Sequence, residues 1–319
     1  MIVGARERVF RTVNKELIEL YWKVGEYISL RVVEESWGKG VVASLASFLK
    51  EKEPDLRGFS ARNLWRMKQF FETYRDFPKL SPLLTEIPWS AHLHLLSKTK
   101  STEEKEFYLH LARREKYSVR QLERQIDSAL FERVIISETK LPTALTELRP
   151  ELNKIYRDTY ALDFLNLPDS HSEADLQKSI LKNLRKFIVE IGNDFTFMGE
   201  EFRVQVGKHD YFIDLVFYHR ELRCLVAFEL KIDEFKPEYI GKMNFYLEAL
   251  DRDVRKEHEN PSVGIILCKE KDQEVVEYAL SRSLSPTMIS EYQTKLIAKS
   301  TLQSKLHELF EHSELRREE

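Results

Sequence analysis

The stretches FIDLVFY (residues 212–218) and AFELK (residues 227–231) place three charged side chains inside two otherwise apolar runs. The strand-like runs 211–218 and 223–231 that contain them are rich in Val, Ile, Leu and Phe, and His219-Arg220-Glu221 between these runs predicts a turn, so we expect an antiparallel hairpin. Because side chains alternate along a strand, Glu229 and Lys231 should share one face. The hairpin should bring Asp214 beside them.

Two adjacent carboxylates and an ammonium group suit the hydrolysis of phosphodiester bonds. Mg²⁺ and Mn²⁺ prefer oxygen ligands, so Asp214 and Glu229 are candidate metal ligands. Such an ion can activate water and stabilise developing charge, and Lys231 can orient the nucleophile or stabilise that charge. The alternative is a surface ion pair, because Glu-x-Lys is common in charged proteins. The position of both carboxylates on consecutive apolar strands favours the catalytic hypothesis.

The chain has 319 residues, 42% hydrophobic and 32% charged, which fits two globular domains. Apolar residues recur at helical spacing through roughly the first 135 residues, and strand-like runs appear in the second half. We therefore predict a mainly α-helical N-terminal domain over residues 1–140, a Pro-containing linker over 141–172, and a C-terminal domain over 173–319.

The C-terminal domain should have an α/β (α+β) fold with a mixed sheet. An amphipathic helix over residues 173–191 precedes three strands, of which the last two form the hairpin. A helix from Pro237 to Leu250, a strand from Val263 to Cys268 and a helix from Gln273 to Leu280 are expected to follow.

Composition argues against several classes of protein. The apolar stretches are too short to span a bilayer, and the charged N-terminus does not resemble a signal peptide. Cys224 and Cys268 lie in apolar runs, which predicts buried thiols and a cytoplasmic location. Many nucleic-acid-binding domains are strongly basic, whereas this chain has a formal net charge of −3. This does not exclude nucleic-acid binding, because local basic patches govern phosphate contacts.

The N-terminal half contains a candidate helix-turn-helix, with one helix from Val41 to Leu49 and a second from Ser60 to Tyr74. A winged-helix-like variant is the other form that this pair of helices could take. Its second helix carries Arg62, Asn63 and Arg66 in its first turns, and Arg and Asn suit base edges. The connection is long for a tight helix-turn-helix. A solvated basic helix face is the alternative interpretation.

Residues 212–220, 222–231 and 235–247 together resemble the YhcG-like group of bacterial PD-(D/E)XK nucleases. The resemblance extends to the N-terminal half, in Leu20-Tyr21-Trp22 with Gly25, Trp37-Gly38, residues 58–67, Trp89-Ser90 and residues 122–127. It implies a restriction-endonuclease-like fold and a DNA substrate. It also implies Asp214 and Glu229 as metal ligands and Lys231 as the catalytic lysine.

One departure from this fold concerns the first helix, where many such nucleases supply a further acidic ligand. Here the expected position holds Gln177, and Glu173, one turn earlier, is either a substitute or a helix-capping residue. On the helix after the hairpin, Lys242 and Tyr246 are candidate phosphate or base contacts, with an ordinary amphipathic helix as the alternative.

The leading hypothesis is a metal-dependent DNase using Mg²⁺ or Mn²⁺. The alternatives are a catalytically weak or inactive nucleic-acid-binding or scaffold protein on the same fold, and a partner-dependent subunit of a restriction-like complex. A homodimer is also expected to be compatible with the function, since cutting both strands needs two sites.

Overall fold

The computed structural model describes residues 2–34, 39–137, 152, 157–281 and 286–315, which form two compact units over residues 1–127 and 128–319. The second unit begins with a helix that lies N-terminal to residue 140, and it includes a strand from within the segment 141–172. The domain boundaries at 140 and 172 stay predictions.

The first unit is helical, as the sequence predicts. Its helices are α1 (Ile2–Glu34), α2 (Lys39–Lys52), α3 (Ala61–Tyr74), α4 (Ser81–Leu84), α5 (Trp89–Lys98), α6 (Thr102–Glu115) and α7 (Val119–Asp127), with a 3-10 turn at Pro78–Leu80. Among the described residues of this unit there is no strand, so the winged-helix-like alternative lacks a wing within them.

Close packing of α1 against α3 organises the core of the first unit. Ile28, Leu64 and Met67 are fully buried there. A Cβ at Gly25 would lie 2.1 Å from the carbonyl oxygen of Met67, so this approach of the two helices requires glycine. Ser60 caps α3 by accepting a hydrogen bond from the Asn63 N–H, as its residue type predicts.

The second unit contains a six-stranded mixed sheet in the order β1-β6-β5-β4-β3-β2. The strands are β1 (Thr159–Ala161), β2 (Phe195–Val206), β3 (His209–His219), β4 (Cys224–Leu230), β5 (Val263–Cys268) and β6 (Thr287–Gln293). The pairs β2–β3 and β3–β4 are antiparallel, which confirms the predicted hairpin, and the remaining pairs are parallel.

The helices of this unit are α8 (Leu130–Ile136), α9 (Glu173–Lys182), α10 (Leu184–Ile191), α11 (Glu238–Asp253), α12 (Gln273–Leu280) and α13 (Lys299–Leu315). Of these, α9 to α12 cover the two faces of the sheet. One core joins α9 and α10 to Leu215, Phe228 and Leu230. The other core joins α11 and α12 to Val216 and Ala227, so alternate residues of each strand serve opposite cores.

Three local features differ from what the sequence predicts. The helix expected over 173–191 is broken at Asn183, which has φ −112° and ψ 25°. The sequence also predicts one helix from Ser118 to Phe131, which the structure breaks at Ala129, whose φ of 52° is left-handed. The strands β1 and β6 were not predicted, because β1 has only three residues and gains its hydrogen bonds from β6, which lies far away in sequence.

None of the helices within the described ranges combines the length and apolar character that crossing a bilayer requires.

Candidate active site

Asp214 lies on β3, and its carboxylate accepts a hydrogen bond of 2.7 Å from the Leu230 N–H on β4. This contact offsets part of the cost of burying the charge. Burial nevertheless raises the pKa of Asp214 to about 6, and the negative charge of Glu229 adds to that rise. The site therefore holds a carboxylate that is costly to ionise without a cation.

Glu229 is the most buried charged group of the site, with no exposed surface. Alternation along β4 places it with Ala227, on the face that α11 covers. Its Oε1 lies 3.0 Å from the Lys231 Nζ and also contacts the Lys242 ammonium. Its Oε2 is buried and has no hydrogen-bond partner. One oxygen of the carboxylate is thus neutralised and the other is unsatisfied.

Lys231 follows the last residue of β4, and its backbone N–H donates to the Leu267 carbonyl of β5. Its Nζ lies 3.0 Å from both Glu173 oxygens and 3.0 Å from the Leu230 carbonyl. Burial alone would lower the pKa of this lysine, but the charges of Glu229 and Glu173 outweigh it and raise the pKa. The lysine is therefore held in its charged form.

The first turns of α9 supply two side chains to the site. Glu173 pairs with Lys231, and the Gln177 amide donates a 2.9 Å hydrogen bond to the backbone carbonyl of Asp214. The cap of α9 is formed by Ser172 and Asp175, whose side chains each accept from the other's backbone N–H. The interpretation of Glu173 as a capping residue is therefore wrong, because Ser172 and Asp175 already serve that purpose.

Lys242 and Tyr246 approach the same face of the sheet from α11. The Lys242 ammonium contacts Glu229, and the Tyr246 hydroxyl donates a 2.7 Å hydrogen bond to the Phe212 carbonyl. Close packing of α11 permits these contacts, since a Cβ at Gly264 of β5 would lie 2.5 Å from the Met243 side chain. The structure thus brings Lys242 into the charged cluster and uses Tyr246 to brace β3.

Tyr239 and Asp233 form a hydrogen-bonded pair beside Lys231. The Tyr239 hydroxyl lies 3.0 Å and 2.9 Å from the two Asp233 oxygens, and the Tyr239 ring lies 5.4 Å below the Lys231 ammonium. A cation above an aromatic ring is attracted to it. Tyr239 precedes Lys242 by three residues, a helical spacing that predicts a shared side of α11, whereas nothing in the sequence indicated Asp233.

The donor set suits a divalent cation. An unsatisfied buried oxygen of Glu229 and a carboxylate of Asp214 with a raised pKa are both groups that a nearby cation would stabilise. Across the described ranges, no cluster of three or more His, Cys, Asp or Glu side chains is arranged to hold a metal ion. Asp214 and Glu229 are the two carboxylates of the site that could hold such an ion, and its remaining ligands would have to come from water or substrate.

The N-terminal candidates lie on α3. Arg62 is exposed and Arg66 is half-buried. The Asn63 amide donates to the Gly58 carbonyl and accepts a 2.9 Å hydrogen bond from the Trp89 indole. Because the Asn63 amide nitrogen and oxygen both have hydrogen-bond partners within the first unit, Arg62 and Arg66 are the better candidates on α3 for contacts with nucleic acid.

Comparison with known proteins assigns both halves of the chain. Residues 153–307 match the YhcG PDDEXK nuclease domain, and residues 1–133 match the DUF1016 N-terminal domain. A protein of Escherichia coli (strain K12), named "Putative nuclease YhcG", is 32% identical over 337 residues, covering 93% of this chain and 88% of that protein. The chain belongs to the YhcG family of PDDEXK nucleases.

Membership of this family confirms the resemblance carried by residues 212–247 and by the N-terminal motifs. It also confirms a helical N-terminal region followed by a mixed-sheet, restriction-endonuclease-like domain. The crystal structure of a repair endonuclease from Pyrococcus abyssi is similar with 17% identity and a TM-score of 0.28, over 40% of this chain and 49% of that chain. This chain therefore spans about half the length of that structure.

Proposed function

We propose that this nuclease is a deoxyribonuclease that needs Mg²⁺ or Mn²⁺, with Asp214 and Glu229 as metal ligands and Lys231 as the catalytic lysine. The observation that carries the proposal is the unsatisfied Glu229 Oε2, buried in a cluster with Asp214 and Lys231. A buried carboxylate oxygen without a partner is costly, and a hard cation removes that cost. Cys224 and Cys268 are buried thiols rather than a disulfide, which supports a reducing, cytoplasmic location.

The residues of the chain supply positioning and charge. When bound, a divalent ion polarises the phosphodiester and lowers the pKa of water. Lys231 keeps its proton because Glu229 and Glu173 raise its pKa, so it stabilises negative charge rather than removing a proton. Gln177 fixes the backbone of Asp214, and the Leu230 N–H orients the Asp214 carboxylate. These contacts hold the carboxylates before substrate arrives.

Lys242 is proposed to contact the phosphate of the strand that is cut. Its side chain is 46% exposed, so its ammonium can move from Glu229 towards a ligand without a large rearrangement. A cation at Glu229 would weaken the contact between Lys242 and that carboxylate and release the lysine. Tyr246, Arg62 and Arg66 are further proposed contacts, with Tyr246 mainly a brace for β3.

The test is a cleavage assay on the full chain with Mg²⁺, Mn²⁺, Ca²⁺ or EDTA, using duplex, branched and single-stranded DNA and RNA. Asp214→Asn and Lys231→Met should each lower the rate by at least about 100-fold. The matched controls are Asp210→Asn, exposed on the same strand, and Lys256→Met, exposed after α11, and both should keep the rate. Cleavage that survives Asp214→Asn would overturn the assigned site, and cleavage of RNA alone would overturn the DNA assignment.

The second candidate function is nucleic-acid binding with weak cleavage, or cleavage that needs a second protein. It is favoured by Gln177, which gives its amide to the Asp214 backbone where a further carboxylate was expected. Salt-sensitive DNA binding by both the wild type and Asp214→Asn, with no cleavage in any metal, would support this candidate. Cleavage restored by a partner would single out the partner-dependent form. A homodimer is proposed for cutting both strands.

A further inference from the structure

The first unit contains a cleft that the nuclease site does not explain. It has a volume of about 1090 Å³ and lies between α1, the loop that joins α4 to α5, and the end of α6. Ligand pockets commonly range over about 300–1,000 Å³, so this cleft can hold a group of nucleotide size. We call it the basic cleft, after the side chains at its rim.

The floor of the basic cleft is apolar and well fixed. Ile87, Ala91 and Leu122 line it and are buried. The Asn14 amide of α1 donates to the carbonyl oxygens of Thr85 and Ile87, at 2.8 Å and 3.2 Å. These hydrogen bonds tie α1 to the opposite wall, so the cleft is formed before any ligand binds.

The rim carries positive charge, unlike the chain as a whole. Four exposed cations line the cleft, which are Arg11, Lys15, Arg113 and Lys116. Glu86 is the acidic residue among its lining groups, and it already pairs with Arg113 at 3.1 Å. Lys15 and Glu19 form an exposed ion pair, with 3.8 Å between the Lys15 Nζ and a Glu19 carboxylate oxygen. With four cations and one carboxylate, this lining has a net charge of +3, whereas the whole chain has −3.

Phe10 adds an aromatic ring to this rim. Its side chain lines the cleft and is 61% exposed, and the Arg6 guanidinium lies 5.4 Å from the centre of its ring. An exposed aromatic ring among cations is the arrangement on which unpaired bases stack while the cations contact the backbone. Bases within a duplex are already stacked and paired, so they cannot occupy an apolar floor.

We propose that the basic cleft binds an unpaired nucleotide of a nucleic-acid strand, with its base against Phe10 and the apolar floor. Arg11 and Lys116 contact the adjacent phosphates. This inference rests on the proposed function, because it names the form of nucleic acid that the nuclease engages. It assigns a substrate-binding role to the first unit, separate from the helix α3.

The test measures binding of the full chain to a fluorescent single-stranded oligothymidylate by anisotropy, in EDTA. Arg11→Glu combined with Lys116→Glu should weaken binding by at least about tenfold and reduce the salt slope by about 1.4, for two lost phosphate contacts. The control, Arg75→Glu combined with Lys79→Glu, makes the same charge change on exposed side chains outside the cleft and should change affinity by less than about twofold. Phe10→Ala should weaken binding by about fivefold or more.

Three results would overturn the proposal: equal losses for the two double variants, unchanged affinity in Phe10→Ala, or equally tight binding of a duplex of the same length. Thermal melting of each variant establishes that it is folded. Because EDTA removes metal-dependent cleavage, failure of the nuclease proposal leaves this measurement intact. Conversely, cleavage by the double variant in the cleft that has an unaltered KM and still depends on Asp214 would support the proposed nuclease activity. That result would also show that the basic cleft does not bind the substrate.

Discussion

The Nζ of Lys231 lies 3.0 Å from both carboxylate oxygens of Glu173, which opens helix α9 and precedes the lysine by 58 residues. The same ammonium lies 3.0 Å from Glu229, so one lysine joins two carboxylates from different elements. Burial opposes a charged lysine, but the two carboxylates prevail and raise its pKa. Glu173 therefore acts on the site through Lys231, as a positioning residue.

Glu173→Gln should lower the cleavage rate by about three- to tenfold, less than the roughly 100-fold expected for Lys231→Met. The amide can still accept a hydrogen bond from the lysine but no longer raises its pKa, so the upper limb of the pH–rate profile should move to lower pH. Glu173→Asp should restore part of the profile. If Glu173→Gln is as damaging as Lys231→Met and leaves the profile unmoved, Glu173 has a direct role instead.

Asp214→Asn should stabilise the metal-free protein at neutral pH. The folded-state pKa of Asp214 is about 6, above the ordinary value of 3.8, because of burial and then of Glu229. The native state thus binds the proton more tightly, and stability falls by up to about 3 kcal/mol as pH rises from about 4 to above 6. Asn removes this loss, so urea melts of variant and wild type should differ above pH 6 and converge near pH 4. The difference should be absent in Asp210→Asn.

Affinity for Mn²⁺ should fall as pH drops through about 6. A metal ligand must be deprotonated, and Asp214 takes up its proton in this range. Calorimetric titration between pH 5 and pH 8 measures this directly. Affinity that stays constant across the range in the wild type would mean that Asp214 is not a ligand.

Lys242→Met should tighten Mn²⁺ binding in the absence of nucleic acid and slow cleavage in its presence. The ammonium contacts the Glu229 oxygen that a cation would also approach, so removing it ends that competition. The metal-free variant should lose about 1–2 kcal/mol of stability, discounted because the lysine is 46% exposed. Lys256→Met serves as the control. Weaker Mn²⁺ binding in Lys242→Met would contradict this account.

Gln177→Glu should destabilise the metal-free protein by about 1–3 kcal/mol. The amide donates to the Asp214 carbonyl, and a carboxylate there would face that oxygen and add negative charge near Asp214. A divalent cation should restore the lost stability if the new carboxylate joins the ligands. Melting temperatures measured with Mn²⁺ and with EDTA show whether the new carboxylate binds the ion. Equal stability of the wild type and Gln177→Glu in EDTA would show that the Gln177 contact contributes little.

Local patterns were sufficient to predict much of the second unit. The apolar runs around Asp214 and Glu229, with a turn between them, specify the β3–β4 hairpin because strand alternation and turn chemistry are short-range. The strand Val263–Cys268 and the helix Gln273–Leu280 also have the predicted bounds. The breaks at Asn183 and Ala129 were not predictable, since neither residue is glycine or proline.

The helical first half, the hairpin and the type of residue at each candidate catalytic position follow from the amino-acid sequence, because they depend on periodicity and on the identity of neighbouring residues. The partners of those residues follow from the tertiary fold. The pairing of Lys231 with Glu173, the contact of Lys242 with Glu229 and the hydrogen bond from Gln177 to Asp214 join separate elements. Such contacts depend on how α9 and α11 pack on the sheet, and no local sequence pattern specifies the distance between side chains of separate elements.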